Sequence, residues 1–293
     1  MTAQHVAASL LALRARTPLV HSITNLVVTN STANALLALG ASPAMVEGEE
    51  EVVEFAALAD ALVINLGTMN ARRASAMALA TAAARQAGTP WVLDPVAVGV
   101  IQYRSEVAVG LLAHKPRVIR GNASEIIAFT RLFGAPLSGA PLSGARLSGA
   151  RLSGAGDAGG QASRGVDSRA ASDDAREAAG ALARATGSAV VVSGATDYAT
   201  DGISMVAIDN GHPMMPLVTG LGCTATAIIG ACLAVVADPL AAAVHGMVLI
   251  GLAGELAGAR APGPGTLQVA LLDALHALDG PTIEARARLR IVP

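Results

Sequence analysis

The chain has 293 residues, a net charge of −2 and an aromatic content of only 2%. A chain of this length can form one large domain with a sizeable core, which Ala, Val, Leu and Ile must fill here. The near-neutral charge gives no long-range attraction to nucleic acid or to anionic membranes, so neither is expected as a partner.

The cysteines and the apolar segments predict a cytoplasmic protein. Cys223 and Cys232 lie nine residues apart in one predicted helix, which is about 13.5 Å and too far for a disulfide. We therefore expect free thiols in a reducing compartment. The first residues lack the basic start of a cleaved signal and fit an amphipathic helix. The longest apolar segment contains His245 and Glu255, which favours a buried core helix over a membrane span.

Short Val- and Ile-rich runs alternate with Ala-rich helical patterns along most of the chain. The predicted strands, in chain order, are 19–23, 42–46, 61–66, 91–93, 117–119 and 189–192. The predicted helices are 31–39, 49–58, 71–86, 123–132 and 173–186. Near-continuous apolar strands separated by helices indicate a parallel sheet with helices on both faces, and the predicted class is α/β.

The alternation changes once, after residue 196. Two short strands, 197–200 and 203–208, are predicted beside Asp201-Gly202 and Asn210-Gly211, which are dipeptides typical of hairpins. They predict a short antiparallel edge on the parallel sheet. Only helices are expected after this edge, at 223–236, 239–257 and 267–278.

Residues 136–155 repeat a five-residue unit, with the sequence PLSGA-PLSGA-RLSGA-RLSGA. A five-residue period matches neither a helix nor a strand. We expect a flexible, low-complexity insertion at about 134–165 within a single domain that covers residues 1–293. A lid that closes over a site is the alternative interpretation.

The strongest functional signal is the sequence VTGLGCT at residues 218–224. Its two glycines, Gly220 and Gly222, precede a long apolar helix and expose backbone N–H groups at the helix N-terminus, which favours phosphate binding. Cys223 falls in the first turn, where the helix dipole favours the thiolate. The alternative is a tight turn followed by a buried cysteine.

Three further segments follow predicted strands, where the ligands of open α/β sheets gather. Asn122 and Glu125 share one face of a helix start, where they either hold a hydrated Mg²⁺ or cap the helix. Asp94 stands before Pro95, where an aspartate either starts a turn or positions a metal ion or a water molecule. Ser193 provides a hydroxyl directly after the predicted strand 189–192.

Polar residues also end the first predicted strand, and a methionine ends the second. Asn25 follows the sequence HSIT and either contacts a small heterocycle by hydrogen bonds or caps the next helix. Met45 forms either an adaptable apolar wall of a pocket or a part of the core.

Taken in order, these segments resemble the hydroxyethylthiazole kinase family of the ribokinase-like superfamily. The resemblance rests on VHSITN (20–25), ALGASPAM (38–45), NLGT (65–68), DPVAVG (94–99), VIRGNASEI (118–126) and GHPMM (211–215). These segments span nearly the whole chain apart from 134–165. The implied fold is ribokinase-like, with a central, mostly parallel sheet, helices on both faces and a short antiparallel edge.

The resemblance implies that ATP, with Mg²⁺, phosphorylates the hydroxyl of 4-methyl-5-(2-hydroxyethyl)thiazole for thiamine biosynthesis and salvage. It also implies a homotrimer with substrate sites at the subunit interfaces. The implied residue roles are thiazole contacts by Met45, Gly220 and Asn25, ATP contacts by Arg120 and Ser193, organisation of Mg²⁺ and phosphates by Asp94 and Glu125, and catalysis by Cys223.

Two positions differ from the patterns that come with this resemblance. The usual family turn is Gly-Thr-Gly-Cys, and Leu221 replaces its threonine, which removes a hydroxyl near the phosphates. The wider superfamily generally has an aspartate in place of Cys223, as a base for the substrate hydroxyl. A thiol can replace that base only if its pKa is lowered, and we expect the helix N-terminus to lower it.

Three other functions remain open on the sequence alone. A ribokinase-like kinase of hydroxymethylpyrimidine or of a pyridoxal-type alcohol would use the same kind of site. A dinucleotide-dependent oxidoreductase is disfavoured because no Gly-Xaa-Gly-Xaa-Xaa-Gly follows the first strand. A non-catalytic ligand-binding protein would tolerate both Leu221 and the repetitive insertion.

Overall fold

The computed structural model describes residues 1–135 and 172–292, which contribute to one nine-stranded sheet and the helices that cover it. The strands are β1 (Leu19–Ile23), β2 (Ser42–Ala44), β3 (Ala61–Asn65), β4 (Trp91–Asp94), β5 (Val118–Asn122), β6 (Ala189–Ser193), β7 (Asp197–Thr200), β8 (Met205–Ile208) and β9 (Leu289–Val292). The helices are α1 (Ala3–Arg16), α2 (Thr29–Leu39), α3 (Val52–Leu58), α4 (Ala71–Ala87), α5 (Gln102–Leu111), α6 (Ala123–Phe133), α7 (Arg176–Thr186), α8 (Leu221–Leu233), α9 (Pro239–Gly258), α10 (Pro264–Ala277) and α11 (Gly280–Arg286).

The strand order in the sheet is β2-β1-β3-β4-β5-β6-β7-β8-β9. Strands β1 to β6 pair in parallel, and β6 to β9 pair antiparallel. This arrangement confirms the predicted α/β class with an antiparallel edge. The chain first adds β2 on one side of β1 and then β3 on the other, so a crevice opens between the carboxyl ends of these strands.

Alternate residues of the strands point into two separate hydrophobic cores. Val20, Val63 and Val92 face one core, which α1, α2, α8, α9 and α10 complete. Ile23, Ile64 and Leu93 face the other, which α3 to α7 cover. Both faces of the sheet are therefore covered, as the near-continuous apolar strands predict.

Helix α9 is the one helix of the described residues that is long and apolar enough to cross a membrane. Of the most apolar 18-residue stretch of this helix, 83% is buried inside the structure. His245 and Glu255 are buried as well. This environment agrees with the predicted core helix.

The expectation that only helices follow the antiparallel edge is wrong. Strand β9 pairs antiparallel with β8, so the end of the chain returns to the sheet. Most of its side chains are exposed or half-buried, and Ile291 is 76% exposed. An edge strand of this kind lacks a buried apolar run, and its pairing partner stabilises it instead.

Several predicted elements have shifted ends. Helix α3 begins at Val52 because Glu51 N–H and Val52 N–H both bond to Gly48 O in a preceding turn. Helix α5 was not predicted, because the residues that it buries, Ser105, Ala108 and Leu111, form only a weak apolar pattern. Almost all of the predicted flexible insertion at 134–165 lies outside the described residues and stays a prediction.

Candidate active site

The carboxyl ends of four parallel strands bring polar side chains to one edge of the sheet. Asn65 pairs with Asp94 across β3 and β4, and Asn122 pairs with Ser193 across β5 and β6. Helix α8 begins above the same edge, since Thr226 in its second turn donates to Asp94 Oδ2 over 2.8 Å. The strand-end residues and the Gly220–Cys223 turn, which are far apart in sequence, therefore form one site.

The two glycines of the turn allow α8 to begin close to its neighbours. Gly220 has φ of +78°, and a Cβ there would come within 1.9 Å of Val28 Cγ1. A Cβ on Gly222 would come within 2.7 Å of Arg120 Nη1. The first intrahelical bond runs from Thr224 N–H to Gly220 O, so the preceding amides of the turn can bind an anion.

Arg120 is the buried cation of the site. Its Nη2 donates to Ser193 Oγ over 2.7 Å, and its Nη1 lies 3.9 Å from Asp94 Oδ2. The residue is 9% exposed, and its Nε has no hydrogen-bond partner among the described residues. An anion beside Arg120 would supply the missing acceptor.

Asp94 is almost fully buried, and two neutral donors hold one of its oxygens. Oδ2 accepts from Asn65 Nδ2 over 2.7 Å and from Thr226 Oγ1 over 2.8 Å. Burial raises the pKa of Asp94, although the charge of Arg120 and these two hydrogen bonds oppose the shift. Neither donor was predicted from the sequence, although Asn65 lies near the end of a predicted strand and so carried the same signal as Asp94.

Glu125 and Asn122 form a capping box at the start of α6. Asn122 Oδ1 accepts from Glu125 N–H over 3.0 Å, and Glu125 Oε2 accepts from Asn122 N–H over 2.9 Å. Glu125 Oε1 also accepts from Ala97 N–H over 2.8 Å. The capping interpretation is therefore confirmed. Burial, together with the nearby charge of Asp94, raises the pKa of Glu125 to about 7.

The two buried carboxylates fit a hydrated divalent cation. A cation beside Asp94 and Glu125 would offset the burial and repulsion that raise the pKa of Glu125. In phosphoryl-transfer sites Mg²⁺ keeps several waters and binds one or two carboxylates with the substrate phosphates. Within residues 1–135 and 172–292, no group of three or more His, Cys, Asp or Glu side chains is placed to hold a metal ion.

Cys223 lies in the first turn of α8, but its surroundings do not favour a thiolate. Burial raises the pKa of the Cys223 thiol to about 12, and the negative charge of Asp94 adds to the shift. The charge of Arg120 and a hydrogen bond with Asn65 act in the opposite direction and are weaker. The expectation of a lowered pKa is therefore wrong, because the raising effects of burial and of the Asp94 charge exceed the lowering effects of Arg120 and Asn65.

Asn25 and Met45 lie near the crevice beside β1. Asn25 Oδ1 accepts from Val27 N–H over 3.0 Å, so the side chain caps the 3-10 turn Leu26–Val28. A Cβ on Gly67 would come within 2.6 Å of Asn25 Nδ2, so the amide packs directly against the chain that follows β3. Met45 follows β2 and is half-buried, which excludes it from the fully buried core.

A buried arginine holds the segment that carries Met45, and it was not among the residues predicted for the site. Arg73 of α4 donates to Thr24 O and to the carboxylate of Glu47. His21 Nε2 lies 2.8 Å from Val46 O in the same segment. Arg73 is 4% exposed, yet it follows another arginine and has no strand-end signal, so tertiary contacts alone identify it.

Ser193 begins a short polar loop at the far end of the site. Asp197 Oδ1 accepts from Gly194 N–H over 2.9 Å and so closes the loop. Burial raises the pKa of Asp197 to about 7. No role was predicted for Asp197, because a buried aspartate in an antiparallel strand has no distinctive sequence pattern.

The sheet, the amide-rich start of α8 and the buried arginine define a phosphotransferase of ribokinase-like fold. Pyridoxal kinase from Staphylococcus aureus, solved in complex with ADP, has the same fold, with a TM-score of 0.60 over 94% of this chain and 98% of that chain. Its sequence identity to this chain is only 14%, so this likeness concerns the fold alone.

More specific comparisons identify the family. The family model of the hydroxyethylthiazole kinases matches residues 10–136 and 152–280. Hydroxyethylthiazole kinase from Granulibacter bethesdensis is 61% identical over 94% of this chain and 91% of its own length. The solved structure of the hydroxyethylthiazole kinase protein from Pyrococcus horikoshii has a TM-score of 0.84 and 36% identity, and covers 98% of this chain and 99% of its own. The chain belongs to the hydroxyethylthiazole kinase family.

Proposed function

We propose that the protein transfers the terminal phosphoryl group of ATP to the hydroxyl of 4-methyl-5-(2-hydroxyethyl)thiazole. The product, a thiazole phosphate, enters thiamine biosynthesis and salvage. The observation that carries this proposal is the convergence of Arg120, the carboxylates of Asp94 and Glu125 and the start of α8 at one edge of the sheet. Membership of the hydroxyethylthiazole kinase family selects the alcohol.

The ATP phosphates bind between Arg120, Ser193 and the amides that start α8. The two side chains already bond to each other over 2.7 Å, so they present one positive, hydrogen-bonding surface. Phosphoryl transfer depends mainly on positioning and on charge stabilisation. Leu221 removes a side-chain hydroxyl from this turn but leaves its backbone donors in place, so the anion site is retained.

The thiazole alcohol binds at the crevice beside β1, where Met45, Asn25 and Gly220 are its proposed contacts. Met45 supplies a half-buried apolar wall, and the Arg73 and His21 contacts hold its segment in place. Asn25 Oδ1 already accepts the cap hydrogen bond from Val27 N–H, which leaves Nδ2 as the proposed donor to the ligand. Gly220 packs its backbone directly against Val28, because it has no side chain, and so brings the start of α8 to the crevice.

Mg²⁺ is the proposed metal cofactor, with Asp94 and Glu125 as the residues that hold it. When bound, the ion neutralises charge on the phosphates. Both oxygens of Glu125 already accept backbone N–H groups, so this carboxylate would hold the ion through a water molecule. Asp94 has its Oδ2 occupied by two donors and contributes Oδ1.

Cys223 is proposed to orient the substrate hydroxyl as a neutral thiol. A pKa of about 12 leaves almost no thiolate at neutral pH, so the thiol acts as a weak donor and acceptor and not as a base. We expect Cys223→Ser to lower kcat about 10-fold with little change in the KM of ATP, because the shorter Cβ–O bond moves the contact atom. Unchanged turnover in this variant would remove Cys223 from the mechanism.

The protein is proposed to act as a cytoplasmic homotrimer with its sites at the subunit interfaces. In support, apolar side chains border the site and are exposed in the single chain: Leu26 is 55%, Val27 65% and Leu217 66% exposed. A neighbouring subunit would cover them. Sedimentation equilibrium tests the proposal, and a monomer at the protein concentration used for activity assays would contradict it.

The direct test of the function is ADP release by the purified protein with ATP and Mg²⁺. Hydroxyethylthiazole, hydroxymethylpyrimidine and pyridoxal are compared as acceptors under the same conditions. We expect turnover with the thiazole alcohol at the highest kcat/KM. A preference for one of the other alcohols would overturn the substrate, and binding of ATP without any turnover would overturn the enzymatic function.

A further inference from the structure

The carboxylate of Asp94 is held unevenly. Its Oδ2 accepts two hydrogen bonds, from Asn65 Nδ2 over 2.7 Å and from Thr226 Oγ1 over 2.8 Å. Among the described residues, no hydrogen bond reaches Oδ1. The amide of Asn65 is itself oriented, because its Oδ1 accepts from Gly67 N–H over 2.9 Å. Two donors therefore fix Oδ2 of Asp94, and Oδ1 remains available to contact a ligand in the site.

Thr226 connects this carboxylate to the first turn of α8. The residue is fully buried, and its hydroxyl lies 2.8 Å from Asp94 Oδ2 and 3.2 Å from Gly222 O in its own helix. Gly222 belongs to the turn whose amides are proposed to bind the phosphates. The hydroxyl thus touches both parts of the site, the carboxylate at the end of β4 and the turn that begins α8.

Other helical threonines show what a purely structural hydroxyl does. Thr81 in α4 donates to Met77 O, four residues earlier, over 2.7 Å, and Thr186 in α7 donates to Leu182 O over 2.8 Å. In Thr226 the corresponding distance, to Gly222 O, is longer than the distance to Asp94. A hydroxyl has one proton to donate. In Thr226 that proton goes to the carboxylate and not to the helix.

We propose that Thr226 is a positioning residue, whose hydroxyl fixes Asp94 against the first turn of α8 and so sets the distance between Asp94 Oδ1 and the anion-binding amides. This proposal rests on the proposed phosphoryl transfer and assigns to it a residue outside the predicted site. Small errors in the placement of reacting groups are costly in catalysis, up to about 100-fold in rate for a displacement of about 1 Å.

The first experiment compares Thr226→Val with Thr226→Ser in the ADP-release assay. Valine keeps the shape of the side chain and removes the hydroxyl, whereas serine keeps the hydroxyl. We expect valine to lower kcat about 10- to 100-fold, with the KM of the thiazole alcohol within about threefold of wild type. Serine should stay within about threefold of the wild-type kcat. Thr226→Ala, which removes the hydroxyl without placing a methyl group beside the carboxylate, should behave like valine.

Thr81→Val is the matched control. It removes a hydroxyl from another fully buried helical threonine, one that bonds only within α4. We expect this variant to keep the wild-type kcat, even where its melting temperature falls as much as that of Thr226→Val. An equal loss of kcat in the two valine variants would show a general effect of stability and would overturn the proposal.

Hydrogen–deuterium exchange tests the same link without turnover. Peptides that cover residues 218–226 should exchange faster in Thr226→Val than in wild type, and Thr226→Ser should match wild type. Wild-type exchange and kcat in the valine variant would overturn the proposal, as would serine and valine variants that are equally impaired. Failure of the wild-type protein to phosphorylate the thiazole alcohol would instead count against the proposed function, and the exchange comparison would still decide the role of Thr226.

Discussion

Gly220 shows how a single missing side chain determines where α8 can begin. Its φ of +78° belongs to the left-handed region, and a Cβ would lie 1.9 Å from Val28 Cγ1. Gly88 has the same φ of +78°, but a Cβ there would meet nothing within 4 Å. The two positions therefore separate the cost of the backbone conformation from the cost of the contact.

We expect Gly88→Ala to lower the free energy of unfolding by about 1 kcal/mol, from the left-handed backbone alone. Gly220→Ala should lower it by about 2–4 kcal/mol, because the overlap with Val28 is added. Urea unfolding of both variants measures the difference. The double variant Gly220→Ala with Val28→Ala should recover part of the loss, and equal losses in the two single variants would contradict the proposed contact.

The thiol of Cys223 gives a second prediction for a single residue. Because burial raises its pKa to about 12, very little thiolate exists at pH 8. We expect iodoacetamide to label Cys223 at least about 100-fold more slowly than a free cysteine, whose pKa is about 8.5. Cys232, whose pKa is likewise raised to about 12 by burial, should also resist labelling. Rapid labelling of Cys223 in the folded protein, detected by mass spectrometry, would contradict the raised pKa, and labelling in urea provides the control.

Among the elements, α9 and β9 are joined through one buried carboxylate. Glu255 Oε1 in α9 accepts from Asn210 Nδ2 over 3.0 Å and from Gly211 N–H over 3.1 Å. Arg288, just before β9, lies 2.5 Å from the same oxygen. Glu255 is 8% exposed, so these bonds form largely away from water. Glu255, in a long apolar core helix, thus holds the C-terminal edge strand against the core.

We expect Glu255→Ala to lower the free energy of unfolding by about 2–3 kcal/mol, because it leaves several donors without an acceptor. Glu106→Ala is the control, since among the described residues Glu106 bonds only Gln102 and both side chains are exposed. That change should alter stability by less than about 0.5 kcal/mol. In Glu255→Ala, a loss of protection from hydrogen exchange that is confined to the last residues would show that Glu255 anchors β9. An unchanged midpoint of urea unfolding would refute this role.

At the scale of the elements, the apolar strands β1 and β3 to β6 could be predicted because each is a buried run between helices. The ends of β2 and α3 could not, because the turn at Gly48 depends on backbone hydrogen bonds that leave no mark in an apolar pattern. Strand β9 was missed for a different reason. It is held by β8 and by contacts near its start, and its exposed side chains have no buried pattern to detect.

For the whole molecule, the buried carboxyl group of Asp197 predicts how stability depends on pH. Its pKa is raised from 3.8 to about 7 by burial, so the folded state favours the protonated form. Between about pH 4 and pH 7 the unfolded chain therefore binds fewer protons than the folded protein at this group. The group thus lowers the stability of the folded state progressively as the pH rises through this range.

We expect Asp197→Asn, which resembles the protonated form, to be about 2–4 kcal/mol more stable than wild type at pH 8. The difference should shrink as the pH falls and should vanish near pH 4. Urea unfolding at pH 4, 6 and 8 measures it, and Asp273→Asn gives the baseline for the same change at an exposed position. A difference that does not depend on pH would show that Asp197 is charged in the folded protein or that the two side chains pack differently.

The sequence by itself determined the fold class, the family and most of the residues at the site. Arg120, Asp94 and Ser193 could be predicted because the carboxyl ends of parallel strands meet at one edge, and Gly220 because two glycines before an apolar helix leave amides exposed. Only the tertiary structure decided the protonation of Cys223 and the partners of Asp94. Both depend on burial and on side chains from separate elements, such as Asn65 and Thr226, and these contacts form only when the chain is folded.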